Sequence, residues 1–556
     1  MTQVAYGAVR TAFLSIGISC QRELARPGRP GEIHSTGMHP LFVNTSREFG
    51  RMRPRRDLRP KARCGSAIRQ GSTRASGLTI DPVTTPATGS TQPPETARSV
   101  DPVTDPGAAD TGGVLSGRYR ALTVGIVSCV LLVAFEATAV NTAMPVAARA
   151  LHGLGLYAFA FSGYFTASLL AMVFSGEWAD KRGPLGPLAA GITTFGVGLV
   201  IAGTAQDMWV FVAGRAVQGL GGGLLIVALY VVVGRAYPER LRASVFAAFS
   251  ASWVLPSIVG PVISGTVTQQ LGWRWVFLSI PVLVVPPVVL MLPQLRRLQA
   301  DDTGERSWAL DRRRILLAVA LAAGAGLLEY AGQLLDLLAL LPAAAGLLLL
   351  VPAVLRLLPR GTLRAGRGLP TVILLRGLAA GTFFAAESFI PLMLVTQRGL
   401  SPTLAGLSLT SGGLCWALGS WLQGRPWADR HRVLLIRVGF LMSGSAIAAA
   451  GLALVHSIPA YVVACAWTVG GAGMGMTFSS VGVLMLGLSA PEETGENSAS
   501  LQVSDSLGTV LLTATAGVLF TSLGTDSARG FASIFATMSA VALLGALLCT
   551  RARPPA

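Results

Sequence analysis

The sequence predicts an all-α membrane protein that crosses the bilayer about fourteen times. Three observations support this fold class: the apolar composition, the long apolar segments along the chain, and the distribution of the arginines. Of the 556 residues, 52% are hydrophobic and only 13% are charged, whereas soluble domains carry about 25% charged residues. Such a chain cannot cover itself with polar surface in water, so lipid is the expected solvent.

Long apolar segments separated by short polar loops begin near residue 120. A helix needs about 20 apolar residues to span a bilayer. The predicted spans are 121–147, 156–176, 187–205, 209–234, 243–268, 273–294, 315–332, 337–355, 371–396, 402–423, 434–455, 459–487, 498–522 and 530–549. We interpret them as two pseudo-symmetric six-helix bundles, 118–296 and 369–552, joined by a linker with two additional spans, 297–368.

The arginines test this number of spans, because cytoplasmic loops of membrane proteins collect basic residues. With the N-terminus placed in the cytoplasm, most basic loops fall on the inside, and the outer loops hold only Arg149, Arg274, Arg398 and Arg529. This asymmetry predicts an even number of spans, both termini in the cytoplasm, and a multi-pass protein of the plasma membrane. The net charge of +17 follows from the same topology, so we expect no nucleic-acid partner.

Residues 1–117 differ in composition from the rest of the chain. The stretch Ser72–Gly113 is rich in Thr, Pro, Ser, Gly and Asp, and Arg51–Arg56 is a basic run. Neither has apolar periodicity, so we expect a disordered cytoplasmic tail. Three interpretations stay open: an over-extended gene start, an inert extension, or a segment that binds a partner or anionic lipid through the basic run.

A short motif recurs at the same topological place in both predicted bundles. The loop after the second span consists of Gly176, Glu177, Trp178, Ala179, Asp180, Lys181, Arg182 and Gly183. The corresponding loop of the second bundle contains Trp427, Ala428, Asp429 and Arg430. An acid followed by basic residues can lock neighbouring helix ends together, and glycines permit the tight turn. The repetition favours a transporter built from two related halves.

Two further motifs lie in the fourth and fifth predicted spans. The fourth contains Arg215, Gln218, Gly219 and Gly221, and the fifth contains Pro256, Gly260, Pro261, Ser264 and Gly265. With the first loop, these resemble three motifs of the major facilitator superfamily: Gly-x-x-x-Asp-(Arg/Lys)-x-Gly, Arg-x-x-Gln-Gly-x-Gly and Gly-Pro-x-x-Gly-Gly. Ser264 stands where the third motif has the first of its final glycines. The run Gly272–Leu278 resembles the drug:proton antiporter group with fourteen spans, and the resemblance covers about residues 118–552.

The resemblance implies alternating access, in which two bundles rock around a central cavity. It implies exchange of an outgoing lipophilic or amphipathic compound for incoming protons. The loops at Asp180 and Asp429 would act as cytoplasmic latches whose contacts differ between the two states. The helix with Pro256, Gly260, Pro261 and Gly265 would seal the cavity against proton leak, although plain helix packing through small residues explains the same pattern.

Two acids lie in the middle of predicted spans and are candidates for proton coupling. They are Glu136, where the antiporter group usually has Asp, and Glu387 in the first span of the second bundle. A carboxylate at mid-membrane costs at least about 2.5 kcal/mol, so each either handles protons or substrate or braces neighbouring helices. Arg215 is the expected partner of the ionised form. Further cavity candidates are Asn141, Gln218 and Asp505, although Asp505 is equally compatible with positioning a helix end. Glu329 and Asp336 flank an outer turn, and we expect them to be solvated.

Other classes of function lack their motifs in this sequence. There is no Gly-x-x-x-x-Gly-Lys-Ser/Thr and no His-Glu-x-x-His, and the six cysteines form no Cys-x-x-Cys pair, so we expect neither an enzyme nor a cofactor or metal site. The expected partners are a small-molecule substrate, protons and the lipid bilayer, with the monomer as the functional unit. Two alternatives remain: a proton symporter or uniporter for a metabolite, and a non-transporting sensor or scaffold.

Overall fold

The computed structural model describes residues 113–300, 312–334, 337–490, 493–525 and 527–553. Most of the predicted tail, part of the loop before the seventh span, and Asp336 lie outside these residues. All regular structure in the described ranges is helical. Its α-helices are α1 (Arg120–Ala150), α2 (Tyr157–Arg182), α3 (Leu185–Thr204), α4 (Met208–Ala236), α5 (Glu239–Gln270), α6 (Arg274–Ala300), α7 (Arg312–Gln333), α8 (Leu340–Leu357), α9 (Leu369–Gln397), α10 (Pro402–Gln423), α11 (Arg432–Gly451), α12 (Val462–Leu488), α13 (Thr494–Ser522) and α14 (Ala528–Leu548).

Within these ranges, 13 helices are long and apolar enough to cross a membrane. Helix α10 falls short because glycine, serine and threonine replace larger apolar residues along its 22 positions. It nevertheless packs against α12 and α5. The predicted all-α, polytopic fold is therefore confirmed.

The helices pack in two groups. Helices α1 to α6 contact one another mainly through the pairs α3–α4, α2–α4 and α1–α5, and helices α9 to α14 through α10–α12, α11–α12 and α9–α13. The two largest interfaces between the groups are α5 with α10 and α2 with α13, and α1 also contacts α9 and α10. Helices α7 and α8 pair with each other, and α7 also contacts α2 and α13. The residue boundaries of the predicted bundles stay predictions.

Glycines allow α3 and α4 to approach closely. A Cβ added to Gly221 would lie 2.5 Å from the Cα of Phe195, and one added to Gly198 would lie 2.5 Å from the Cα of Gln218. Side chains cannot occupy such space, so only small residues permit this contact. The contact holds α4, which carries Arg215, against α3.

Consecutive spanning helices run in opposite directions, so their ends alternate between two faces of the protein. We call the face at which α2 ends and α3 begins the Asp180 face. Helices α2 and α4 begin at the opposite face, and α7, which begins at the Asp180 face, ends there. Because the described helices alternate in this way, the depth of a residue follows from its place along its helix.

The prediction of a loop from Gly176 to Gly183 is wrong for most of these residues. Helix α2 continues through Arg182, where an ion pair of 3.3 Å between Glu177 and Lys181, four residues apart, supports the last turns. The turn itself consists of Gly183, with a φ of 82°, and Pro184. A positive φ of this kind favours glycine, so Gly183 keeps the role of a turn residue, whereas Gly176 is a helical residue.

Candidate functional site

A buried ion pair joins α1 to α4. The guanidinium Nη1 of Arg215 lies 2.7 Å from Oε1 of Glu136, and the two residues are only 4% and 1% exposed. Both positions were singled out from the sequence, and the structure brings them into direct contact. A charge-assisted hydrogen bond at this distance, shielded from solvent, is among the stronger interactions that side chains form.

Arg215 makes three further contacts that fix its orientation. Its Nη1 donates to Oε1 of Gln218 at 2.5 Å and its Nε donates to the carbonyl oxygen of Ala160 at 3.3 Å. The guanidinium carbon also lies 4.6 Å from the centre of the Tyr164 ring, which is within the range of a cation–π interaction. The cluster therefore connects α1, α2 and α4, and Arg215 has favourable contacts that do not depend on Glu136.

Because Glu136 is the only carboxyl group that pairs with Arg215 among the described residues, its protonation state determines the net charge of the buried pair. With Glu136 ionised, the pair is neutral overall; with Glu136 protonated, the buried Arg215 keeps its positive charge and only neutral acceptors. The Nε2 of Gln218 is buried and has no hydrogen-bond partner among the described residues. A change in protonation would thus alter the electrostatic contact between α1 and the other two helices.

The remaining central candidates do not join this cluster. Glu387 lies on α9, half-buried, and faces the indole of Trp467; the Nε1 of that indole has no hydrogen-bond partner in the described part of the chain. Asn141 is half-buried on α1. Among the described residues, no ion pair or hydrogen bond connects Glu387 to the Glu136–Arg215 pair.

A second ion pair includes a residue that the sequence analysis missed. Nη2 of Arg376 on α9 lies 3.1 Å from Oδ2 of Asp505 on α13. The Arg376 guanidinium also donates to the carbonyl oxygen of Phe478 at 3.2 Å and lies 3.4 Å from the centre of its ring. A charged residue inside the predicted span 371–396 is the signal that would have identified Arg376.

The second latch motif makes its contacts within its own half, whereas the first motif also reaches α7, where Nη1 of Arg314 lies 3.7 Å from Oε1 of Glu177. Near the first, Nη2 of Arg235 donates to the carbonyl oxygens of Ala179 at 3.1 Å and Asp180 at 3.4 Å. In the second, the carboxylate of Asp429 pairs with Arg432. Arg430 is exposed in the same short turn, and so is Asp180 at the end of α2.

The glycines of α5 accommodate hydroxyl groups from two neighbouring helices. A Cβ on Gly260 would collide with Oγ1 of Thr138 on α1, and one on Gly265 would lie 2.6 Å from the Cα of Thr403 on α10. Ser264 donates to the carbonyl oxygen of Ala139 at 2.8 Å. Pro256 and Pro261 also lie inside this helix. Because Gly265 contacts Thr403 on α10, the predicted motif lies at the interface between the two halves.

The expectation that Glu329 is solvated is wrong. Glu329 is 1% exposed and its Oε1 accepts a hydrogen bond from Ser162 of α2. The side chain points into the packed protein because α7 contacts α2 directly, a contact between distant segments that composition does not reveal.

Comparison with known proteins identifies the family of the chain. The model of the Major Facilitator Superfamily matches residues 126–441 and 372–556. The chain belongs to the Major Facilitator Superfamily. This superfamily member is accordingly a multi-pass membrane protein, and the family predicted from the motifs is confirmed.

Curated relatives of this superfamily member match parts of its length. Multidrug resistance protein 3 of Bacillus subtilis is 25% identical over 341 residues, 59% of this chain and 66% of that protein. The MFS-type transporter gkaD of Penicillium citrinum is 29% identical over 186 residues, 33% of this chain and 32% of that protein. The chain thus matches about a third to two thirds of the length of these relatives.

Solved structures share the fold of this superfamily member at low sequence identity. A POT family transporter in complex with 5-aminolevulinic acid has a TM-score of 0.58 and 15% identity, with 77% of this chain and 94% of that chain covered. The human organic anion transporter MFSD10 has a TM-score of 0.54 and 15% identity, with 77% and 99% covered.

Proposed function

We propose that this transporter exports small lipophilic or amphipathic compounds in exchange for protons by alternating access. In this proposal it lies in the plasma membrane with both termini in the cytoplasm, so that the Asp180 face is the cytoplasmic one. The observation that carries the proposal is the buried pair of Glu136 and Arg215, 2.7 Å apart. Such a pair links the protonation of one carboxyl group to the contact between helices.

Packing alone does not require two charges at this place. Well-packed apolar residues of similar volume are often as stabilising as a buried ion pair, and charged groups inside spans are rare outside transport pathways. Protonation of Glu136 removes the partner charge of Arg215 while Gln218, Ala160 and Tyr164 still hold the guanidinium. The cluster can therefore change charge without coming apart, as a proton-coupling site must.

Contacts between the two halves support a conformational change by rocking. Toward the face opposite Asp180, the hydroxyl of Tyr157 on α2 donates to the carbonyl oxygen of Ser388 on α9 at 2.8 Å, and Gly265 packs against Thr403. We infer that these contacts separate when the transporter opens toward the outside. The motifs at Asp180 and Asp429 would then form their latch contacts on the cytoplasmic side.

The names of relatives support the direction and the class of substrate. Multidrug resistance protein 3 of Bacillus subtilis is named for resistance to several drugs, and the MFS efflux transporter aclA of Aspergillus oryzae, 29% identical over 204 residues, is named for efflux. We extend this to export of lipophilic or amphipathic compounds by the present chain, with Glu387, Asn141 and Asp505 as residues that face the substrate.

Proton flux in proteoliposomes tests the proposal. The purified full-length chain is reconstituted with a pH-sensitive dye inside, a pH gradient is imposed, and lipophilic cations and neutral antibiotics are added one at a time. We expect at least one compound to trigger proton movement, and we expect the Glu136→Gln variant to abolish it. The matched control is Glu239→Gln, because Glu239 is an exposed carboxylate at the start of α5 and should leave the flux unchanged.

Other outcomes discriminate between the alternatives. Proton movement in the same direction as the compound would indicate a symporter, and compound flux without protons would indicate a uniporter. Full activity in Glu136→Gln would contradict the proposed coupling role of this residue. Absence of any compound movement, from folded protein and a broad panel, would favour a non-transporting membrane protein.

A further inference from the structure

A cavity of about 300 Å³ lies between α2, α4 and α7, outside the Glu136–Arg215 cluster. Aromatic rings and small residues form most of its wall, and its polar groups are one carboxyl, one hydroxyl and the indole N–H of Trp209. Its lining residues are Phe159, Gly163, Thr166, Ala167, Trp209, Val212, Ala213, Ala216, Gly326 and Glu329. Trp209 begins α4 and Glu329 is near the end of α7, so the cavity lies toward the face opposite Asp180.

The carboxyl group of Glu329 is incompletely satisfied. Ser162 donates to its Oε1, while Oε2 is buried and has no hydrogen-bond partner among the described residues. The Ser162 hydroxyl has a single hydrogen and also lies 3.0 Å from the carbonyl oxygen of Ala158, so its support of the carboxyl is shared. A buried acceptor without a donor destabilises the protein, and it does so more strongly when it is charged.

A second polar atom in the same wall is also without a partner. The Oγ1 of Thr166 is buried and makes no hydrogen bond within the described part of the chain. It lies on α2 one turn beyond Ser162, and Phe159 and Trp209 form an edge-to-face pair with ring centres 5.9 Å apart at the same cavity. Two unsatisfied oxygen atoms therefore accompany two aromatic rings in one apolar space.

We propose that this cavity is a second ligand site, which binds a small lipophilic ammonium ion from the membrane. The ammonium N–H groups would donate to Oε2 of Glu329 and to Oγ1 of Thr166, which supplies both missing donors. The apolar body of the ligand would lie against Trp209 and Phe159, whose ring faces attract cations. Trp209 is 51% exposed, so a compound dissolved in lipid reaches the cavity between α4 and α7 without passing through the centre of the transporter.

The site is independent of the proposed proton coupling. Its residues on α4 flank Arg215 in sequence, but Arg215 donates toward Glu136, Gln218 and Ala160. Binding at Glu329 can therefore be measured at equilibrium, without a pH gradient and without turnover. A failure of transport and a failure of this binding are separate results.

Equilibrium binding to the full-length chain in nanodiscs tests the site. The probe is 1-naphthylmethylammonium, which is fluorescent and carries one ammonium group on an aromatic body, and its neutral counterpart is 1-naphthylmethanol. We expect the ammonium probe to bind with saturation and the alcohol to bind at least about tenfold more weakly, because the alcohol lacks the charge-assisted hydrogen bond.

Two variants locate the binding. Glu329→Gln removes the ionisable carboxyl group that would pair with the ammonium ion, with almost no change of shape, and should weaken probe binding at least about tenfold. Gly326→Leu fills the cavity and should abolish binding; a Cβ at Gly326 meets no atom within 4 Å, so the variant is expected to fold. Glu239→Gln is the matched control and should bind like the wild type, as should Glu136→Gln.

Three results would overturn the proposal. They are unchanged affinity in both Glu329→Gln and Gly326→Leu, equal affinity for the ammonium and the alcohol, and loss of the same binding step in Glu136→Gln. Phosphatidylethanolamine carries the same ammonium chemistry, so the titration is repeated in nanodiscs with and without it. Competitive displacement of the probe by this lipid would assign the site to a lipid headgroup and would reject a small molecule as the occupant.

Discussion

In the described part of the chain, each half has an ion pair well inside its spanning helices, Glu136–Arg215 in the first and Asp505–Arg376 in the second, and the two pairs differ in their surroundings. In the Glu136–Arg215 pair the side chains are 2% and 5% exposed, whereas in the Asp505–Arg376 pair they are 14% and 16% exposed. The first pair is enclosed by helices of one half. The second lies nearer the Asp180 face, within electrostatic reach of Tyr230 on the opposite half.

The two pairs also differ in how completely their polar atoms are hydrogen-bonded, and the less exposed pair is the more completely bonded one. Arg215 is held by Glu136, Gln218 and Ala160, while Nε of Arg376 and Oδ1 of Asp505 are buried without partners among the described residues. A pair with unused polar atoms at the interface between the halves is suited to bind an arriving group. A pair whose guanidinium also bonds neutral acceptors, as in Glu136–Arg215, is suited to keep a buried charge in place when its partner is protonated. Under the proposed function, we therefore expect proton coupling in the first half and substrate contact in the second.

The largest expected effect is the loss of one partner of the enclosed pair. Arg215→Met leaves Glu136 as a buried carboxylate without a counter-charge, which should lower the free energy of unfolding by about 3–5 kcal/mol. Thermal and denaturant-induced unfolding in detergent micelles measures this. The double variant with Glu136→Gln should recover most of the loss, because no buried charge remains. A double variant as unstable as the single one would contradict the ion-pair explanation.

The same replacement in the second pair should cost less. Arg376→Met leaves one oxygen of Asp505 buried, but its side chain is 14% exposed, against 2% for Glu136, so water reaches part of the remaining charge. We expect a loss of about 1–3 kcal/mol. Unfolding under identical conditions gives the comparison with Arg215→Met. An equal or larger loss for Arg376→Met would show that the exposure of the two pairs does not determine their contribution to stability.

The smallest expected effect comes from the aromatic neighbours. In a double-mutant cycle, Phe478→Leu and Arg376→Met should show a coupling energy of about 0.5–1 kcal/mol, the range for a partly exposed cation–π contact. The parallel cycle of Tyr164→Leu with Arg215→Met should reach about 2 kcal/mol, because that contact is desolvated. The opposite order would remove the proposed difference between the two regions.

Much of the fold could be predicted because apolar length and basic loops are one-dimensional signals. Glu136 and Arg215 were recognisable as charges inside predicted spans. Arg376 carried the same signal within the span 371–396. For residues of this kind, the position along the chain is nearly sufficient to predict burial inside the protein, because a charged group at the middle of a span is rarely exposed to lipid.

Glu329 shows where such a prediction fails. A carboxyl group near the end of a span can reach water at the interface or turn into the protein, and the choice depends on the helix packed beside it. Here that helix is α2, and the deciding residue is Ser162, far away in sequence. The predicted loop at Gly176 failed for a similar reason, because the pair of Glu177 and Lys181 extends α2 beyond its apolar segment.

At the interface between α5 and α10, hydroxyl-bearing side chains pack directly against glycines, and few large side chains interdigitate. Gly265 faces Thr403, and Gly406 faces Thr142 and Pro261. Surfaces of this kind can part and rejoin without any rotamer having to change, so little activation enthalpy opposes their separation. A methyl group at position 265 would act as a wedge and shift the population toward conformers in which the face opposite Asp180 stands open. Within the proposed rocking mechanism, the size of the residue at position 265 would therefore set the balance between the two states.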